Sequence, residues 1–82
     1  MPTAFILLNV KVNSETEVME KLKEILQSGE STYEIKEVYG VYDMIIKIVA
    51  ENIESLRNIL AKIRRVDKIY STVTMLVTEE QY

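Results

Sequence analysis

Two short stretches hold the side chains of this protein best suited to grip a ligand. Gly40-Val41-Tyr42-Asp43 links two apolar runs, and Ser71, Thr72 and Thr74 lie within a third. A turn glycine can leave backbone N–H groups open to a ligand, an aspartate can hold an ammonium group, and hydroxyls can bond a carboxylate or amide. Together these groups suit a free amino acid. The same residues also have a structural reading, in which Gly40 serves only the turn, Asp43 bonds local backbone amides, and the threonines reflect β-propensity.

Other chemistries find little support. The chain has no His and no Cys, which removes the commonest zinc ligands, the usual proton shuttle at neutral pH and the thiol nucleophile. Glu34 with Glu37, and Glu79 with Glu80, form carboxylate pairs that nothing nearby in sequence would bury or shift. Lys36 and Lys47 read as ordinary strand-edge or outward lysines. No glycine-rich phosphate loop is present, and Tyr33, Tyr39, Tyr42 and Tyr70 lack the basic interleaving of an RNA-stacking sheet. No catalytic residue, metal ligand or cofactor is therefore expected. Lys+Arg 10 against Asp+Glu 13 makes a net charge of −3, which opposes direct binding to a nucleic-acid backbone. The basic cluster Lys62, Arg64, Arg65 and Lys68 closes a predicted helix and complements its dipole. With no signal peptide and no apolar run of ~20 residues, a cytoplasmic protein with no membrane partner is expected.

The 82 residues suffice for one small domain with one core, and such short domains are often marginal alone, so self-association is expected. Residues 3–12 read as a first strand. Ser14 and Glu17 have the spacing of a capping box and open a helix with Val18, Leu22, Ile25 and Leu26 on one face, ending near Ser28-Gly29. Residues 34–39 and 42–50 read as strands joined by a tight Gly40-Val41 turn. Asn52 caps a second helix that turns Ile53, Leu56, Ile59, Leu60 and Ile63 inward and closes at Asp67-Lys68. Residues 69–78 read as a last strand, and residues 79–82 as a fraying tail. The resulting β-α-β-β-α-β order predicts an α+β, ferredoxin-like domain: a four-stranded antiparallel sheet with two helices on one face, as in a dimeric α/β barrel.

Strand alternation assigns Ile6, Leu8, Val10, Met44, Ile46, Ile48, Val73, Met75 and Val77 to the helix side. The opposite set is apolar as well, with Phe5, Leu7, Ile45, Val49, Tyr70 and Leu76 alternating with Asn9, Lys11, Asp43, Lys47, Thr72, Thr74 and Thr78. A patch of that extent marks an interaction surface, and burying it would contribute on the order of 9 kcal/mol per protomer before ordering costs. A two-fold homodimer packed sheet to sheet through Phe5, Leu7, Ile45, Val49, Tyr70 and Leu76 is expected.

The runs at residues 4–10 (AFILLNV), 38–47 (VYGVYDMIIK), 63–66 (IRRV) and 71–77 (STVTMLV) resemble the effector-binding domain of the Lrp/AsnC transcription regulators, also called RAM. The most specific element is the G-x-Y-D turn in its β-α-β-β-α-β setting. The resemblance implies a sheet-to-sheet dimer, assembly into octamers or related rings, and amino acids bound between dimers. Carried onto this chain, the implied ligand positions are Gly40, Val41, Tyr42, Asp43, Ser71, Thr72 and Thr74. Family members also carry a helix-turn-helix, whereas residues 1–82 read as a single domain of the stand-alone form without one. Full-length Lrp/AsnC regulators or an enzyme of amino acid metabolism are the expected protein partners. The alternatives are a purely structural interaction module and a small dimeric α/β-barrel enzyme of the cofactor-free monooxygenase type, which shares the topology.

Overall fold

A computed structural model describes residues 1–29 and 31–78. The elements run β1 (Thr3–Val10), α1 (Glu15–Gln27), β2 (Ser31–Glu37), β3 (Met44–Ala50), α2 (Ile53–Arg64) and β4 (Ile69–Leu76). The sheet order is β2-β3-β1-β4 and every neighbouring pair is antiparallel. This is the α+β, ferredoxin-like arrangement that the order of apolar runs predicts. The tail at residues 79–82 lies outside the described residues.

The core follows from the two periods. Along β1 and β3 every second residue is buried, and Ala4, Ile6, Leu8, Met44, Ile46 and Ile48 are closed off from solvent. Val18, Leu22 and Leu26 from α1, with Leu56, Ile59 and Ile63 from α2, fall at helical spacing and cover them. Ile53, expected on the inner face of α2, sits at its first position and is exposed. The helices lean over β2 and β3.

Several boundaries shift for local reasons. β1 stops at Val10 because Asn13 turns through a left-handed φ of 67°, a conformation asparagine tolerates. The Ser14 side chain makes no cap hydrogen bond, so the capping box does not form. Its glutamate is engaged elsewhere: Glu17 accepts Lys68 Nζ at 2.9 Å through Oε1 and at 2.8 Å through Oε2. Asn52 does cap α2, its Oδ1 accepting the Ser55 N–H at 2.8 Å. The hairpin is wider than a tight turn. β2 ends at Glu37, β3 begins at Met44, and the Val38 N–H donates to the Asp43 carbonyl at 2.9 Å to close the loop at its base. Gly40 adopts a φ of +156° with open space around it, so the backbone alone demands glycine there.

The largest correction concerns β4. Residues directly opposite in a ladder share a face, and Phe5 faces Met75, Leu7 faces Val73, and Thr3 accepts the Val77 N–H. Val73, Met75 and Val77 therefore lie on the open face, not the helix side. Leu8 faces Thr72, Ile6 faces Thr74 and Ala4 faces Leu76, which puts Thr72, Thr74 and Leu76 on the helix side. Tyr70 sits in a register irregularity, because Asn9 pairs with Ser71 but Val10 with Ile69. That extra residue reverses the alternation between the start of β4 and the rest of it.

Shortening Ile46 to Ala, at a fully buried position, is expected to cost about 2–5 kcal/mol, and Asn52→Ala about 1 kcal/mol through the lost cap, both measured by urea unfolding.

Candidate functional site

The hairpin and the start of β4 flank the same end of β1. The Asp43 N–H donates to the Leu8 carbonyl at 3.0 Å, and Asp43 Oδ2 accepts the Val10 N–H at 2.9 Å. The carboxylate thus replaces a main-chain carbonyl where the β1–β3 ladder stops. On the other side of β1, Leu8 pairs with Thr72 and Asn9 with Ser71. Asp43 and the β4 hydroxyls are separated by two strand spacings, roughly 10 Å. Ser71 faces the open side, while Thr72 and Thr74 face the helix side and are half-buried. One chain therefore brings these groups to one end of the sheet without closing them around a single point. Gly40 and Val41 stand out in solvent at the hairpin tip with a fully exposed Tyr39 between β2 and Gly40, and Tyr42 is half-buried.

Asp43 does bond a backbone amide, but that of Val10 on β1 rather than a local one. Oδ2 is taken by the Val10 N–H, whereas no protein donor occupies Oδ1 among the described residues. Val38, Tyr39 and Tyr42 read as strand from sequence because Val and Tyr are strand formers, yet they lie in the loop around the Gly40-Val41 turn. An Asx residue just before an apolar run was the one local signal that the ladder ends there.

The open face is a grid of cross-strand rows. Glu34, Lys47, Phe5 and Met75 form one row, and Lys36, Ile45, Leu7 and Val73 the next. A third holds Thr32, Val49 and Thr3. In these rows β2 contributes only the polar Thr32, Glu34 and Lys36, while β3, β1 and β4 carry the apolar residues, interrupted by Lys47 and Thr3. Met75 is 49% and Val73 38% exposed in the single chain. Of the interface residues expected from sequence, Phe5, Leu7, Ile45 and Val49 lie on this face; Leu76 does not, Tyr70 sits at the register irregularity, and Val73 and Met75 join the face.

One ionic contact ties distant segments. Lys68 adopts a left-handed φ of 73°, a strained state for a side chain of this kind, and its ammonium is held by Glu17 from α1. The hydrogen bond to Glu17 and that residue's charge raise the Lys68 pKa above the ordinary 10.5. No set of His, Asp or Glu positioned to hold a metal occurs among the described residues. Among the described residues no helix is long and apolar enough to cross a membrane.

Comparison with known proteins decides the kinship. A model of the Lrp/AsnC ligand binding domain matches residues 3–82. The chain belongs to the Lrp/AsnC family. It is 36% identical over 74 residues to the HTH-type transcriptional regulator FL11 of Pyrococcus furiosus, covering 90% of this chain and 46% of that protein. It thus spans about half the length of the curated relatives it matches. The crystal structure of FFRP-DM1 superposes with a TM-score of 0.77 at 37% identity, covering 94% of this chain and 99% of that one. AsnC of E. coli gives a TM-score of 0.79 at 28% identity, covering 99% of this chain and 53% of that chain.

Two outcomes follow from these contacts. Asp43→Ala leaves the Val10 N–H without its acceptor and should cost about 1–3 kcal/mol, while Asp43→Asn keeps an acceptor oxygen and should unfold in urea close to the wild type. Because Lys68 has a raised folded-state pKa, its contribution is fully present below 10.5 and lost as pH rises through the raised value. The stability difference between wild type and Glu17→Gln should therefore hold steady across neutral pH and shrink only above 10.5.

Proposed function

We propose that this Lrp/AsnC-family chain is a non-enzymatic sensing and assembly domain, which couples a small effector to oligomeric state or partner affinity. Two copies pack through the open sheet face about a two-fold axis. An amino acid then binds between such dimers at the end of β1, where Asp43 Oδ1 receives its ammonium group and β4 hydroxyls its carboxylate, either Ser71 from the open side of one copy or Thr72 and Thr74 from the helix side of another. The backbone of Gly40 and Val41 and the ring of Tyr42 line that cleft. The dimers assemble further into octamers, and full-length Lrp/AsnC regulators or an enzyme of amino acid metabolism read the assembled state. The chain makes no direct contact with nucleic acid and works in the cytoplasm.

The observation that carries this proposal is a sheet with one face closed by helices and the other left apolar across β3, β1 and β4. A patch of that kind costs free energy in water and is relieved by a second copy. The split of the ligand-holding groups supports a site shared between copies. Asp43 and the threonines lie too far apart for one small ligand within a single chain, so a neighbouring dimer must bring its own groups to complete the site. The exposed Tyr39 and Val41 at the hairpin tip are placed for that contact. Enzymatic use of the interior has no support, because the space between helices and sheet is filled by Ala, Ile, Leu, Val and Met side chains.

A purely structural module is favoured by one observation, the engagement of Asp43 by Val10. Thermal unfolding with each of the twenty amino acids separates the two. A ligand at about 100 times its Kd stabilises the native state by about 2.7 kcal/mol, which is readily visible in Tm. A response to one or a few amino acids that Asp43→Asn abolishes supports the sensor; no response to any of them leaves the structural module. Leu7→Glu places a carboxylate between Ile45 and Val73 in the dimer interface and should give monomers or unfolded chain by light scattering, whereas a well-folded Leu7→Glu dimer contradicts the packing.

A further inference from the structure

A groove of about 580 Å³ runs between α1 and the end of α2, away from both the hairpin and the open sheet face. Its base is apolar: Val18 is fully buried, and Ile25 and Val66 are half-buried beneath it. Glu17, Lys21, Glu24 and Ser28 form one stripe of α1 along one wall, and Lys62 and Arg65 project from the other.

Charge accounting gives the groove a sign. Glu17 is held by Lys68 at 2.8 Å, Asp67 Oδ1 accepts the Lys68 N–H at 3.0 Å, and Glu24 lies 4.0 Å from Lys21. Glu17 and Glu24 thus each have a cationic partner, whereas Asp67 is met only by a backbone N–H, so that Lys21, Lys62, Arg65 and Lys68 stand against three carboxylates. Lys62 and Arg65 meet no carboxylate within 4.0 Å among the described residues. Two cations without a carboxylate partner thus stand over an apolar base. Their place at the C-terminal end of α2 suits the helix dipole but consumes none of their side-chain donors. The Lys68–Glu17 contact fixes α1 against the α2–β4 turn, so the walls are set before any ligand arrives.

We propose that this groove binds a small monocarboxylate with a branched aliphatic or aromatic tail, the carboxylate on Arg65 and Lys62 and the tail on Ile25 and Val66, above the buried Val18. A planar guanidinium matches a carboxylate through paired hydrogen bonds. A phosphate dianion is less suited, since it would face the partial negative charge of the α2 C-terminus and leave the apolar base uncovered. The volume falls in the range of small-molecule sites.

The test is a methyl-resolved NMR titration of the whole chain with 4-methylpentanoate, with acetate and inorganic phosphate as controls. Saturable shifts at Val18, Ile25 and Val66 are expected, with 4-methylpentanoate at least tenfold tighter than either control. The double substitution Lys62→Gln and Arg65→Gln, at exposed positions, should weaken binding at least tenfold, and Asp43→Asn should leave it unchanged. Absent shifts, shifts that survive the double substitution, or phosphate binding as tightly as 4-methylpentanoate would each overturn the proposal, the last by reducing the groove to a bare cation patch. Sensitivity to Asp43→Asn alone would assign the carboxylate to the hairpin and overturn it too.

Discussion

Strand β1 is hydrogen-bonded along both edges, to β3 on one side and β4 on the other, and its alternating residues are apolar on both faces. That double demand organises the molecule. Ala4, Ile6, Leu8 and Val10 require the two helices above them, while Phe5 and Leu7 require something below. The helices can satisfy only one face, because both crossovers of this topology land on the same side of the sheet. The open face is thus a direct consequence of placing such a strand at the centre of a small sheet, and the proposed dimer follows from the same cause.

The end of β1 sets the geometry of the hairpin as well. Where main-chain pairing with β3 stops, Asp43 supplies a carboxylate oxygen to the Val10 N–H, and across the strand the pairing with β4 slips between Asn9 and Val10. Both irregularities release polar groups from the ladder at one edge of the molecule. A ligand site there needs no dedicated pocket within the chain. It needs a neighbour whose own hairpin and β4 approach from outside, and this links ligand binding to assembly through the differential affinity that any such coupling requires.

Much of this was legible in the residues. The helices follow from Val18-Leu22-Leu26 and Leu56-Ile59-Ile63, the Asn52 cap from its place before an apolar helical run, and the order of elements from the alternation of period two with period 3.6. The inner faces of β1 and β3 were readable because their alternation is unbroken. β4 was not, since Ile69 to Leu76 carries β-prone side chains on both faces and offers no polarity contrast to choose between them. The irregularity that decides its facing is a pairing event with β1, invisible in either strand alone. The capping box failed for a similar reason: Glu17 has the right spacing, but Lys68, distant in sequence, competes for it with a full charge. For the candidate site, local sequence identified the groups, while the bond from the Val10 N–H to Asp43 and the separation of the groups across β1 depend on strand order.

The central claim is that the open face of the sheet is satisfied only by a second copy. Sedimentation equilibrium of the unmodified chain, run from micromolar to submillimolar concentration, tests it most directly against the protomer mass of 9.5 kDa. The account predicts an even multiple of that mass that persists on dilution, because an apolar face of this size stabilises the pair strongly. A folded species of protomer mass throughout would contradict it.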